Sequence, residues 1–158
     1  MTVHNSIVLS GAPAGRFLEG IVSGTPKPGT VMQVKAATEP VGGKHTWEVY
    51  APGTDGNQRI ISVLIDNWFL GRAPTEAYVS GEQCRLYCPI PGDELKMLLK
   101  NISGTGDLFA IGAVLMVDDA TGKLIATTGS PESEPFVCME TVAALTADTL
   151  AHCMFTGY

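Results

Sequence analysis

Tyr78 to Asn101 read YVSGEQCRLYCPIPGDELKMLLKN, and the fold turns on how this run is divided. Gly81-Glu82 turns the chain into a strand, "QCRLYCPI". Pro89 and Pro91 stop that strand from pairing further, because proline has no amide to donate. Beyond them, "GDELKMLLK" places Leu95, Leu98 and Leu99 at helical spacing, with Asp93 available as an N-cap. The spacing predicts a short helix of one or two turns that plugs one end of a β-barrel.

On either side, strands and turns alternate. "RFLEGIVSG" and "GTVMQVKAA" are separated by the stiff turn "TPKPG", where Pro26 and Pro28 fix the backbone. Val31, Gln33 and Lys35 alternate with Met32, Val34 and Ala36, a period of two. "HTWEVYA" alternates in the same way between the turns "PVGGK" and "PGTDGNQ". "RIISVLIDNWFL" is a nearly continuous apolar run, consistent with a strand buried on both faces or a strand passing into a core loop. "FAIGAVLMVDDATGKLIATT" is a hairpin turning at "DDATGK". "FVCMETVA" and "LAHCMFTG" close the chain around "ALTADT". No internal repeat interrupts this order. The expectation is an all-β chain, a small β-barrel or β-tulip with one short helix. Residues 1–15, "MTVHNSIVLSGAPAG", read as a flexible N-terminal arm, and 16–158 as one barrel-like domain.

Composition agrees with this reading. The 158 residues are 45% apolar and 16% charged, with 18 glycines and 10 prolines, the texture of a strand-rich domain with many turns. The net charge is −6 and the pI about 4.9, and the ten basic residues are scattered singly. Nucleic acid is therefore not expected as a partner, since phosphate neutralisation needs clustered Lys and Arg. No apolar stretch approaches the ~20 residues of a membrane span. The N-terminus lacks a basic segment before its short apolar run, so no signal peptide is expected and folding in a reducing cytosol is.

The four cysteines are Cys84, Cys88, Cys138 and Cys153. Cys84 and Cys88 share one face of a strand, about 13 Å apart, too far for a bridge. "CRLYC" is not a zinc knuckle. Free, buried thiols are expected, and no metal or cofactor. The hairpin "VDDATGK" lacks the ligand ladder of a calcium loop and reads as a solvated tip. "ATGKL" is not a P-loop, and none of the three histidines has an obvious nucleophile partner, since His152 and the adjacent Cys153 point to opposite faces of a strand. Asp66, Glu140 and His152 are the polar groups an inter-subunit active site would have to bring together. Trp47, Tyr50 and Trp68 are those a sugar-binding aromatic row would have to expose.

Taken in order, "KPGTVMQV", "AYVSGEQ", "PGDELKMLL", "FAIGAVLMVDDATGKL" and "FVCMETV" resemble the capsid cement, or head decoration, proteins of tailed bacteriophages. The likeness runs from about Gly29 to Val142. Two departures stand out: Gly112-Ala113 replaces a Gly-Asp, and Cys138 stands where the family usually has alanine. The resemblance implies a structural virion protein with no enzymatic activity. Such proteins are made in the host cytoplasm and sit as homotrimers on the outer capsid surface. They bridge neighbouring major capsid proteins and stabilise the expanded shell. On that reading Ile7, Val8, Leu9 and Phe17 are the expected capsid contacts of the arm, adding a strand to a neighbouring sheet; the alternative is a frayed terminus. Trp68 and Phe69 are candidates for the trimer seam, although core packing would also account for them. The competing readings are a carbohydrate-binding β-sandwich for host adhesion and a small trimeric β-barrel enzyme.

Overall fold

A computed structural model describes residues 7–10, 17–36, 38–51, 62–65, 71, 73–101, 107–127, 135–145 and 147–157. Thirteen strands and no helix occur among the described residues. Strands β2 (Phe17–Val22), β3 (Val31–Val34), β4 (Thr46–Val49), β5 (Ser62–Leu64) and β6 (Gln83–Tyr87) close into a barrel in the order β2-β4-β3-β5-β6. Only the β2–β4 contact is parallel, with Ile21 opposite Thr46. Val22, Met32, Trp47, Leu64, Cys84 and Leu86 fill the interior together with Tyr78. The Tyr78 hydroxyl donates to the Ile65 carbonyl at 2.8 Å, which satisfies its polar end inside the core.

The second half, joined by β1 from the N-terminal segment, forms a six-stranded sheet in the order β1-β7-β10-β9-β11-β13. Its members are β1 (Val8–Ser10), β7 (Glu94–Leu99), β9 (Val114–Val117), β10 (Leu124–Ala126), β11 (Phe136–Cys138) and β13 (Thr149–Phe155). β13 pairs back on β7 from Thr149↔Leu99 to Met154↔Glu94, so β7, β10, β9, β11 and β13 also close on themselves. β8 (Asp107–Phe109) and β12 (Val142–Leu145) form a separate antiparallel ribbon. The single barrel expected from sequence is thus two rings. They share one core, because Val31, Val63 and Tyr87 of the first ring pack with Leu95, Met97, Leu99, Leu115 and Phe136 of the second. Each large apolar side chain buried there stabilises the fold by about 1.5–3 kcal/mol.

The expected helix is strand β7. Leu95, Leu98 and Leu99 do have helical spacing, but Leu95, Met97 and Leu99 also have strand spacing, and all three are fully buried. Hydrogen bonding decides between the two periods. β13 occupies one edge of β7. On the other edge the amides of Lys96, Leu98 and Lys100 donate to the carbonyls of Ile7 (2.6 Å), Gly29 (3.0 Å) and Leu124 (2.9 Å). A helix would have consumed these amides internally. Asp93 does not cap a helix either. It is buried, and its Oδ2 accepts from the Tyr87 hydroxyl at 2.6 Å and from the Ile90 amide at 2.9 Å. It thereby braces the Ile90-Pro91-Gly92 turn, where the chain crosses from one ring to the other.

The N-terminal segment differs from expectation as well. Ile7 is fully buried in the shared core, and Val8–Ser10 pair with β7 at Val8↔Leu95 and Ser10↔Glu94. This part of the presumed flexible arm is docked on its own chain.

Two glycines make the seam between the rings. Gly29 (φ +84°) donates its amide to Leu64 in the first ring at 2.8 Å and accepts from Leu98 in the second. A Cβ there would lie 2.9 Å from the Leu98 amide nitrogen and 2.7 Å from Leu150 Cδ2. Gly122 (φ +64°), in the β9–β10 turn, accepts the Val31 amide at 2.8 Å. A Cβ there would meet the Val31 carbonyl at 2.6 Å. The "DDATGK" turn is therefore not a free solvated tip: Asp119 and Ala120 are exposed, but Gly122 is buried against the first ring. Gly122→Ala is expected to lower stability by about 3 kcal/mol or more, from left-handed strain plus displacement of a backbone carbonyl. Gly42→Ala, with nothing within 4 Å of the added carbon, should show the strain alone, about 1–2 kcal/mol. Urea unfolding midpoints of the two variants measure the difference.

Candidate functional site

The surface of the described residues is notable for where its aliphatic side chains stand. Val41, Val79, Ile90 and Ile111 are 62%, 57%, 45% and 68% exposed. All four belong to tight turns containing glycine, three at the first position and Ile111 at the second: Val41-Gly42-Gly43-Lys44, Val79-Ser80-Gly81-Glu82, Ile90-Pro91-Gly92-Asp93 and Ala110-Ile111-Gly112-Ala113. Backbone hydrogen bonds close these turns, Lys44 N–H to Val41 O at 3.1 Å, Glu82 N–H to Val79 O at 3.0 Å and Asp93 N–H to Ile90 O at 3.0 Å. In the fourth, the Ala113 amide donates to Ala110 O at 3.0 Å, with Ile111 at the apex. The apolar groups are therefore held out on stiff supports. The sequence alone places Val41 and Val79 in turns, Ile90 in a strand and Ile111 in a hairpin, and marks none of them as a contact; the signal was an aliphatic residue placed one or two positions before a turn glycine.

Of the four expected arm contacts, Phe17 is at the surface. It is 36% exposed, with its ring 5.3 Å from that of Tyr87 and the Arg85 guanidinium 5.3 Å from its centroid. Leu18 beside it is 37% exposed. Ile7 is buried and Val8 partly so, while the side chain of Leu9 lies outside the described residues. Trp68 and Phe69, the expected seam aromatics, also lie outside the described residues, as does Asp66.

Glu140 and His152 do meet. Glu140 Oε1 accepts the His152 backbone amide at 2.7 Å, while the imidazole Nε2 pairs with Glu94 Oε2 at 2.9 Å. The carboxylate proposed as a partner thus holds the backbone of His152, and a different acid holds its ring. Cys153 next along β13 points the opposite way, into the core. Of the aromatic row a sugar platform would need, Trp47 is buried at 3% exposure, its indole lying over Gly20, where a Cβ would come within 2.2 Å of Trp47 Cδ1; Tyr50 is half-buried, and Trp68 lies outside the described residues.

All four thiols are free, and three are buried as expected, whereas Cys88 is only half-buried. Burial pushes the Cys84 thiol up to about 12, so it stays protonated and inert.

Two ion pairs tie loops to strand ends. Lys100 Nζ meets Asp118 Oδ2 at 2.7 Å, and Thr121 also donates to Asp118. Lys123 meets Asp148, whose other oxygen accepts the Asn101 amide at 3.2 Å. Beside them a shallow groove of about 270 Å³ lies between Lys27, Pro74 and Thr75 on one side and Leu98, Asp148 and Leu150 on the other. Partial burial would raise both carboxyls, but the lysine contacts outweigh it, and Asp118 and Asp148 are held below the ordinary carboxylate range. Because the folded values are the lower ones, the stabilisation is present above the unfolded carboxylate value. It fades as pH falls below about 4. Asp118→Asn is expected to cost about 0.5–1 kcal/mol at pH 7, a value already reduced for solvent screening. It should also flatten the loss of stability between about pH 4 and pH 2, as read from urea midpoints across that range.

Compared with known proteins, the chain matches no family model and no curated protein sequence.

Proposed function

We propose that this chain is a structural protein of a tailed-phage virion. It binds the outer surface of the capsid as a homotrimer and bridges neighbouring major capsid proteins. It stabilises the expanded shell without making or breaking covalent bonds. The observation that carries this reading is the set of aliphatic side chains at Val41, Val79, Ile90 and Ile111, held out on hydrogen-bonded turns of a β scaffold. Contacts of that kind suit rigid docking, because little side-chain or loop ordering remains to be paid on binding. The ordered run of motifs from Gly29 to Val142 supports the same reading. Repetition of one modest contact over a shell supplies avidity.

The capsid contact is revised from the sequence expectation. Ile7 is committed to the core and Val8 to β7, so the contact is assigned to Phe17, Leu18 and the turn tips. Trp68 and Phe69 remain the proposed trimer seam.

Electron microscopy of particles from the encoding phage should show extra density of this mass above the shell, and native mass spectrometry a species of about 50 kDa, the trimer expected of a closed ring. Val41→Asp, Val79→Asp, Ile90→Asp and Ile111→Asp change exposed residues and should leave Tm nearly unchanged. At least one should cut occupancy on expanded shells by about tenfold or more, the scale of a contact hot spot. Shells that bind none of the wild-type protein would overturn the reading.

A further inference from the structure

Cys138 and Cys153 are directly opposed on the neighbouring antiparallel strands β11 and β13. Both are fully buried and belong to the shared core. The Cys138 backbone turns toward β9 for its hydrogen bonds: its amide donates to Ala113 O at 2.9 Å and its carbonyl accepts from Gly112 at 2.8 Å. On the β13 side the next residue makes the ladder bond, Met139 N–H to His152 O at 2.8 Å. Cys138 and Cys153 are thus a non-hydrogen-bonded pair. That is the position in an antiparallel ladder where facing Cα atoms come closest, about 4.5 Å. Such a separation falls within the span a disulfide bridges. Alternation along the two strands points both thiols into the same core, and Cys138 Sγ lies 3.1 Å from the Glu140 carbonyl oxygen.

We propose that Cys138 and Cys153 are a built-in oxidation site, forming a disulfide that staples β13 to β11 when the folded protein meets a peroxide. The chemistry balances with hydrogen peroxide as oxidant. Cys138 gives up its thiol proton, its thiolate attacks one peroxide oxygen, the O–O bond breaks, and the departing hydroxide takes up that proton and leaves as water, with Cys138 now a sulfenic acid. Cys153 sulfur then attacks the sulfenic sulfur, a second water leaves, and its thiol proton goes with it. Two thiols have lost two electrons and two protons in all, and the peroxide has become two waters. The roles are unequal. Interaction with Cys153 draws Cys138 below the ordinary thiol range and holds Cys153 well above it, which favours Cys138 as the attacking sulfur. It is also the better placed one. Cys138 ends a three-residue strand, two positions from exposed Glu140, so local opening at that end admits a small oxidant.

The other cysteines form a natural control. Cys84 is buried and protonated, and Cys88 bonds instead with Ser62 Oγ at 3.4 Å. The bridge would close a short loop through β12 and fasten the last strand of the second ring. The site concerns the chain's own chemistry and stands apart from the question of what surface the protein binds.

Folded wild-type protein is treated with hydrogen peroxide, quenched, and analysed by intact mass and non-reducing peptide mapping. A loss of about 2 Da, mapped to Cys138–Cys153, is expected. The oxidised protein should melt higher by roughly 6–12 °C, the shift expected for a loop of about this length in a chain of this size, and dithiothreitol should reverse it. Cys138→Ala and Cys153→Ala should each abolish both the mass loss and the thermal shift, and the double variant Cys84→Ala with Cys88→Ala should retain both. Should an alanine variant fail to fold, the wild-type map and the Cys84/Cys88 variant decide alone. A bridge mapped elsewhere, gain of oxygen without a bridge, or an unchanged mass would each overturn the proposal.

Discussion

The structure depends on the second edge of β7. One edge is taken along its whole length by β13. On the other, alternate amides, those of Lys96, Leu98 and Lys100, reach three segments distant in sequence: Ile7 before β1, Gly29 in the first ring, and Leu124 at the head of β10. These backbone groups lie beside a buried apolar core, where an unmet amide costs about 1–3 kcal/mol. The three partners must therefore arrive together. That requirement couples the N-terminus, the proline-rich loop and the β9–β10 hairpin into one cooperative unit, and it explains why Gly29 and Gly122 stand where backbone meets backbone.

A consequence is the division of labour between core and surface. Apolar mass is concentrated where the two rings meet, with Tyr87, Phe136 and Phe155 among its members. Polar attachments are few and specific. Lys100 with Asp118 and Lys123 with Asp148 secure the ends of β7, the β9–β10 turn and the segment before β13. They position loops that the core cannot reach and add modestly to stability. With the scaffold held this way, turn tips can carry exposed aliphatic groups without unfolding cost, and it is these groups to which the proposed reading assigns the capsid contact.

The same register logic that closes the second ring also aligns its two sulfurs. Alternation sends Cys153 inward and His152 outward on β13, and the β11–β13 register sets Cys138 opposite Cys153. The Glu94–His152–Glu140 contacts on the outer face and the thiol pair on the inner face are products of one ladder. Neither arrangement follows from spacing along the chain, since Cys138 and Cys153 belong to strands separated by the whole of β12.

Period-two alternation determined much by itself. It marked β3 at Val31–Val34 and β4 around Trp47, while Gly and Pro punctuation delimited β6 at Gln83–Tyr87 and the β9–β10 hairpin; in β3 the alternation did not report burial, since Val31, Met32 and Gln33 are all buried. Where a segment satisfied two periods at once, only tertiary structure could choose. "DELKMLL" fits a helix through Leu95, Leu98 and Leu99 and a strand through Leu95, Met97 and Leu99, and the strand won because distant carbonyls were waiting for its amides. "SIVLS" had too little length to declare whether it was free or docked; pairing to Glu94 and Leu95 decided that. Ring closure and the facing of Cys138 with Cys153 were likewise invisible, since register is a relation between strands and no single strand encodes its partner.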